Sequence, residues 1–210
     1  MWPESEETQE LLQGAREGDD DAVNELMERH RGALNHLVRM RLDQKLQQRV
    51  DVSDVVQDVL IEASRRLATY LEDPKMSFHL WLRHIAKDRI IDAHRRHRVS
   101  AKRSVDREQS MSAPAAYDHS SIQLAIQIAD KELTPAARAT QQELALRVKQ
   151  AIEQLDKTDR EIIEMRHYDQ LTNQDVAQEL NLSEPAASMR YLRAIRRLKA
   201  LLIGSTSEED

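Results

Sequence analysis

An all-α fold, made of two small helical domains joined by a flexible linker, is predicted by three properties of the sequence. Aromatic residues make up only 3% of the 210 residues, so the core must be built mainly from Leu, Ile, Val, Ala and Met. Four glycines and five prolines are too few for the regular turns of a β-sandwich or barrel. Apolar residues instead recur at three- and four-residue spacing, which is the repeat of one helix face.

Three amphipathic helices are predicted in the N-terminal half. Their apolar positions lie within residues 20–38, 53–67 and 77–98. Asp20 or Asp21 can cap the first helix, because a carboxylate accepts hydrogen bonds from the free N–H groups of a first turn. Residues 1–19 are acidic, and we expect them to form a flexible arm outside the first domain, which spans residues 20–103.

A linker is predicted between the two domains. Residues 104–121 are rich in Ser and Ala, contain Pro114 and show no sustained period. A short amphipathic helix over 122–133 falls within this connection, so the linker extends over 104–133. The second domain then begins at Thr134-Pro135, where proline takes the first position of a helix that continues to residue 155.

A helix-turn-helix is predicted in the second domain, which spans residues 134–203. Thr158…Glu161 and Thr172…Asp175 have the spacing of capping boxes that start two helices. Ser183 begins the last helix after the tight turn Asn181-Leu182. Two short helices joined by such a turn, the second of them basic, are typical of this motif. Residues 204–210 form an acidic tail.

The formal net charge is −6, but the charged residues are distributed unevenly along the chain. Residues 1–28 contain ten acidic residues and one arginine. Residues 83–107 hold nine Arg or Lys against three acids, and 186–200 hold five against none. Two basic segments on an acidic chain indicate contact with a polyanion at two sites, although two solvated helix faces would have the same composition.

Several classes of function are excluded or disfavoured by the residue types. The absence of cysteine excludes disulfides, thiolate zinc sites and cysteine nucleophiles, and it suits a reducing compartment. No secretory signal or membrane-length apolar run is present, so we expect a cytoplasmic protein without a membrane partner. The glycines are scattered singly and form no phosphate-binding loop, and we expect no cofactor.

A histidine and aspartate metal site is the weakest alternative. Residues 79–97, within the third predicted helix, contain four histidines and two aspartates: His79, His84, His94, His97, Asp88 and Asp92. No HExxH pattern occurs, and neighbouring arginines disfavour a cation. A metal hydrolase would hold stoichiometric metal, whereas we expect neither a metal site nor catalytic residues.

Two helix faces carry the polar residues of greatest interest. Arg190, Arg193, Arg196 and Arg197 share one stripe of the last helix with no acidic residue, which favours DNA binding over a solvated face. The second predicted helix presents Asp54, Gln57 and Asp58 opposite its apolar stripe. That face is either solvated or a docking surface for a basic or helical partner, and spacing does not decide between them.

Three segments together resemble the extracytoplasmic-function sigma factors of bacterial RNA polymerase. Residues 54–60 (DVVQDVL) resemble the Asp-Leu-Val-Gln-Glu-Val-Phe segment of the family's region two. Residues 78–92 (FHLWLRHIAKDRIID) resemble its Trp-Leu…Ile-Ala-Arg-Asn…Asp segment. Residues 175–183 and 190–194 are similar to its region-four helix-turn-helix. The resemblance covers roughly residues 20–203 and implies a sigma factor rather than an enzyme.

The resemblance also implies partners and residue roles. Core RNA polymerase would contact Asp54, Gln57 and Asp58. The melted −10 promoter element would contact Trp81, Lys87, Arg89, Arg95, Arg96 and Arg98, although spacing alone places Trp81 and Phe78 in the core. Duplex −35 DNA would contact Ser188, Arg190, Arg193, Arg196 and Arg197. An anti-sigma factor or another inhibitor stays open as a further partner.

Two departures from the family pattern lie in the helix-turn-helix. Pro185-Ala186-Ala187 stands where the family has Gly-Thr-Val, and Asn181 stands at the turn glycine. Asparagine tolerates the left-handed conformation, so we expect the turn to form.

A stand-alone helix-turn-helix regulator with an N-terminal sensory or dimerisation domain is the alternative function. Such a regulator would bind its operator without polymerase and has no need of the Asp54, Gln57 and Asp58 face.

Overall fold

Helices form nearly all of the described chain in a computed structural model, which describes residues 2–3, 6–42, 44–103, 124 and 141–204. No strand occurs among them, so the all-helical prediction is confirmed. The chain divides into two compact units, Met1–Ala113 and Pro114–Asp210. The predicted linker apart from Leu124, the helix start at Thr134-Pro135 and the tail after Gly204 lie outside the described residues.

The first unit contains five helices within its described part. They are α1 (Glu6–Arg16), α2 (Asp20–Arg41), α3 (Gln44–Gln47), α4 (Val52–Glu72) and α5 (Phe78–Arg103). Asp19 caps α2 by accepting bonds from the backbone N–H groups of Asp21 and Ala22, one residue earlier than predicted. Asp51 caps α4 in the same way through Ser53, and this hydrogen bond lowers the pKa of its carboxyl.

Helix α1 contradicts the expectation of a flexible arm over residues 1–19. Its acidic residues face solvent while Leu12 is buried. Gly14 allows a close approach to α2, because a Cβ there would lie 2.8 Å from the Cβ of Ala22. Gly18 then turns the chain at φ 85°. The acidic composition of this segment drew attention away from Leu12, which is buried once the helix packs in the first unit.

The core of the first unit lies between α2, α4 and α5. The apolar stripe predicted for α4 is buried throughout. Rings of Tyr70, Phe78 and Trp81 pack together next to it, with centroids 4.7 Å apart for Tyr70 and Trp81 and 5.5 Å for Phe78 and Trp81. Phe78 is buried, as spacing predicted, whereas Trp81 is only half-buried. Part of the Trp81 side chain therefore stays exposed on α5.

The second unit is built from shorter helices. Its described elements are α6 (Gln141–Gln154), α7 (Lys157–Ile163), a π-helical turn (Glu164–Tyr168), α8 (Asn173–Glu179) and α9 (Glu184–Gly204). The capping box of Thr172 and Asp175 is confirmed at α8. The box predicted at Thr158 is wrong: Asp156 caps α7, because its carboxylate accepts bonds from the Thr158 and Asp159 N–H groups.

The turn between α8 and α9 forms as predicted. Asn181 has φ 51°, the left-handed conformation that asparagine tolerates. Ser183 precedes α9, and its hydroxyl accepts a bond from the N–H of Ala186 at 3.4 Å. On its inner side, α9 buries Ala187, Ala194 and Leu198 completely. The helix-turn-helix therefore presents the opposite side of α9 to solvent.

Candidate protein and nucleic-acid interfaces

The polar face of α4 is exposed as the spacing predicted. Asp54, Gln57 and Asp58 all lie on the solvent side, opposite the buried Val55, Val56 and Val59. Side chains at positions three and four apart share one helix face, so the two carboxylates and the amide form one patch. The patch joins an exposed apolar residue, Ile61, which keeps 44% of its surface accessible.

An open groove of about 610 Å³ runs between α2 and α4 next to this patch. Gln57 and Ile61 contribute to it from α4, and Met27 and Arg31 contribute from α2. The groove combines an apolar floor with polar edges, which suits the side of a partner helix better than a small molecule. Sequence spacing on α4 alone could not reveal the contribution of α2.

Ion pairs connect the acidic face of α4 to the basic helix α5. The Arg96 guanidinium lies 3.8 Å from a carboxylate oxygen of Asp58. Arg89 lies 3.8 Å from Glu62, which also pairs with Arg66 on its own helix. Two of the arginines implied for −10 DNA are therefore within reach of α4 carboxylates. Both pairs are partly solvated, so they restrain rather than immobilise these side chains.

The remaining predicted −10 residues lie along α5. Arg95 is exposed, Lys87 is half-buried, and Arg98 lies in the helix although its side chain is outside the described part. Trp81 stacks on Tyr70 with an interplanar angle of 29°, and Tyr70 donates its hydroxyl to the Met76 carbonyl at 3.0 Å. The ring of Trp81 is thus oriented by its neighbours while one part of it stays accessible.

On α9 the four predicted arginines do not share one environment. Arg193 and Arg196 are exposed, and Arg190 and Ser188 are half-buried. Arg197 differs, because its guanidinium donates to Asp156 at 2.6 Å and also to Asp159. These two carboxylates at the start of α7 were missed by the sequence analysis. The Asp159 hydrogen bond, above all, raises the pKa of Arg197.

A second polar contact supports α9 from the π-helical turn. The Nε2 atom of His167 lies 2.8 Å from the hydroxyl of Tyr191. The Arg166 guanidinium lies 5.6 Å from the centre of the Tyr191 ring and donates to the Leu171 carbonyl at 2.6 Å. Burial lowers the pKa of His167 to about 4, so the ring is neutral at pH 7. The sequence carried no signal for this contact.

The residues that the structure describes offer neither a clustered metal site nor a membrane-spanning helix. They contain no group of three His, Asp or Glu side chains arranged to hold a metal ion. Of the histidines considered above, His79 is buried, His84 is exposed and His94 is half-buried. Among the described helices, none is both long enough and apolar enough to cross a membrane.

Comparisons with known proteins match both units. The family model for sigma-70 region 2 matches residues 26–99, and that for sigma-70 region 4 matches residues 145–198. Among solved structures, that of CnrH in complex with the cytosolic domain of CnrY is similar, with 24% identity and a TM-score of 0.55. The match covers 95% of this chain and 99% of that chain. No curated protein sequence matches.

Proposed function

This chain belongs to the sigma-70 family of RNA polymerase sigma factors, and from that premise we propose which of its surfaces bind polymerase and promoter DNA. The extracytoplasmic-function resemblance is confirmed by the two family models, which match region 2 and region 4 in that order. As a sigma factor it binds core RNA polymerase and directs it to promoters.

Core polymerase is proposed to dock on the face formed by Asp54, Gln57 and Asp58. The observation that supports this most directly is the exposure of all three residues beside the groove between α2 and α4. A partner helix lying there would bury Ile61 and meet the two carboxylates at the rim. Apolar burial would supply affinity, and the charges would set orientation and association rate.

The docking surface is tested with Asp54→Asn, alone and combined with Gln57→Ala. We expect the double variant to bind core polymerase about tenfold more weakly, which corresponds to about 1.4 kcal/mol. Glu72→Gln is the matched control, because it removes one exposed charge from the far end of the same helix. Circular dichroism should show that all variants keep their helices. Equal affinity of the double variant and the control would remove this face from the proposal.

The −10 element is proposed to run along α5. Trp81 offers a partly exposed ring on which an unpaired base can stack. Lys87, Arg95 and Arg96 place positive charge farther along the same helix, where they would contact the phosphates of a melted strand. Arg89 and Arg98 complete the proposed set.

A measurement of promoter opening distinguishes the proposed −10 DNA contacts of α5 from the proposed polymerase contacts of α4. Lys87→Ala with Arg95→Ala should reduce opening, measured by the fluorescence of a base analogue at −10, without weakening core binding, because neither residue pairs with the docking face in the described structure. Arg39→Ala is the control, because Arg39 is also an exposed arginine but lies on α2. Normal opening by the double variant would contradict the proposed DNA path.

Duplex −35 DNA is proposed to bind the exposed side of α9. Arg193 and Arg196 would contact phosphates, with Ser188 and Arg190 at the margin of the same surface. Arg197 would act mainly by holding α9 to the start of α7. Each lost phosphate contact should flatten the log–log salt dependence of binding by roughly 0.9. Arg196→Ala should show this flattening.

Three further properties are proposed from the family assignment. The chain would have no catalytic site of its own, since polymerase performs RNA synthesis. It would act in the cytoplasm. An anti-sigma factor would cover one of its interfaces, a proposal supported by the similar CnrH, which was solved in complex with the cytosolic domain of CnrY. Operator binding without polymerase would instead support a stand-alone regulator.

A further inference from the structure

Two large apolar side chains stand on the solvent side of α9. Met189 is 53% exposed and Leu192 is 45% exposed. They do not belong to the core, because the buried stripe of the same helix consists of Ala187, Ala194 and Leu198, all of them 0% exposed. Exposing two such side chains next to each other on a helix with a complete apolar stripe indicates a surface that is covered when the protein acts.

These side chains occupy the N-terminal half of the helix and face outward. Pro185, Met189, Leu192 and Arg196 follow one another at spacings of four, three and four residues, so they lie on one face. The first three of them carry no side-chain hydrogen-bond donor or acceptor other than the weak thioether of Met189. Arg193 and Arg196 are the only arginines that lie on this side of α9.

The placement matters because of how a helix-turn-helix meets DNA. The N-terminal residues of its second helix approach the base edges in the major groove. The C5-methyl of thymine is the one prominent apolar group there, whereas guanine and adenine are read by hydrogen bonds. The N-terminal part of this face, made of Pro185, Met189 and Leu192, therefore complements thymine methyls and offers guanine no hydrogen-bond donor.

We infer that Met189 and Leu192 select thymines in the −35 element by contacting their C5-methyl groups. The inference rests on the proposed binding of −35 DNA by α9 and adds to it a specific chemical readout. In this arrangement Arg193 and Arg196 supply affinity through phosphates, and the apolar pair supplies sequence preference. The arginines would then be less important for base choice than their number suggested.

The test uses the full chain bound to core polymerase and a −35 duplex selected by that holoenzyme from a randomised library. Each thymine of the selected duplex is replaced in turn by deoxyuridine, which removes the methyl group and leaves base pairing unchanged. We expect one or two replacements to weaken binding about two- to fivefold, the effect of one buried methyl group. The other replacements should have no effect.

Variants then assign the sensitive thymines to side chains. Met189→Ala should abolish the deoxyuridine effect at one sensitive position, and Leu192→Ala should abolish it at the neighbouring one. Leu146→Ala is the matched control, because Leu146 is 46% exposed in the same unit but lies on α6. Since all three residues are exposed, their truncation should leave the helical content unchanged by circular dichroism.

The outcomes distinguish this inference from the function on which it rests. A uniform response to deoxyuridine, with Arg196→Ala still flattening the salt dependence, would overturn methyl reading and leave −35 binding intact. Failure of the parent holoenzyme to select any −35 sequence would overturn both. If Met189→Ala and Leu192→Ala both kept the full deoxyuridine effect at every sensitive thymine, the apolar pair would not read methyl groups and the inference would be wrong.

Discussion

The two units hold their functional helices by different means. In the first unit the 26-residue α5 is anchored by rings and aliphatic side chains, among them Phe78, Leu80 and Leu82. In the second unit α7 and α8 have only seven residues each and depend on polar contacts at their ends. A short helix leaves most of its backbone groups without intrahelical partners, so caps and side-chain bonds contribute a larger share of its stability.

Polar side-chain contacts connect neighbouring helices of the second unit. Arg160 donates to the carbonyls of Ile152 at 3.2 Å and Leu155 at 3.3 Å, where α6 ends. Arg197 joins α9 to the start of α7 through Asp156. The comparison indicates that truncating an aromatic residue should be most damaging in the first unit, whereas removing caps should affect the second.

The largest effect is expected from Phe78→Ala. Phe78 is buried against the rings of His30, Tyr70 and Trp81, and such truncations cost about 3–5 kcal/mol. Tryptophan fluorescence measures the first unit alone, because the only tryptophans, Trp2 and Trp81, both belong to it. Urea unfolding followed by this signal should shift strongly. A shift as small as that of Thr69→Ala, an exposed position of the same unit, would contradict the comparison.

Acid should destabilise the first unit through His30. Burial lowers the pKa of His30 from 6.5 to about 4, so the folded unit binds fewer protons than the unfolded chain between these values. Stability should therefore fall as pH drops from 6.5 to 4, by at most about 3 kcal/mol in total. Urea unfolding at pH 7 and pH 4.5 measures the loss.

His30→Gln isolates this contribution. Its amide can still donate to the Leu26 carbonyl, which His30 Nδ1 contacts at 2.8 Å, but it does not titrate. The variant should lose less stability between pH 7 and pH 4.5 than the parent. An identical pH dependence would assign the acid sensitivity to other groups.

A smaller effect is expected from Thr172→Ala in the second unit. The variant removes the hydroxyl that accepts the Asp175 N–H at 3.1 Å and should cost about 1 kcal/mol. Amide hydrogen exchange should increase in α8 while tryptophan fluorescence stays unchanged. Thr69→Ala in the exposed part of α4 is the control and should lose no stability. Equal exchange in α8 before and after the change would contradict a dependence on caps.

The smallest effect concerns salt. Arg197 pairs with Asp156 at the protein surface, and such pairs weaken when ions screen them. Raising the salt concentration to 1 M should slightly lower the melting temperature of the second unit, and Arg197→Met should remove that dependence. Persistence of the same salt effect in Arg197→Met would place its origin elsewhere in the unit.

The sequence by itself determined the features that depend on neighbouring residues. Three- and four-residue spacing was enough to place the buried stripe of α4 and the exposed Asp54, Gln57 and Asp58. The capping box at Thr172 and the left-handed turn at Asn181 were equally predictable. Each of these is decided within one or two helical turns, where the identity of a side chain and its position largely determine its environment.

Tertiary structure decided what depends on residues far apart in the sequence. Asp156 reaches Arg197 across 41 residues, and His167 reaches Tyr191 across 24. Helix α1 packs closely because Gly14 meets Ala22 on another helix. Helical spacing states which side of a helix is apolar, but it does not state which helix covers that side or which carboxylate meets an arginine. Those contacts follow from how helices cross, which only the assembled core determines.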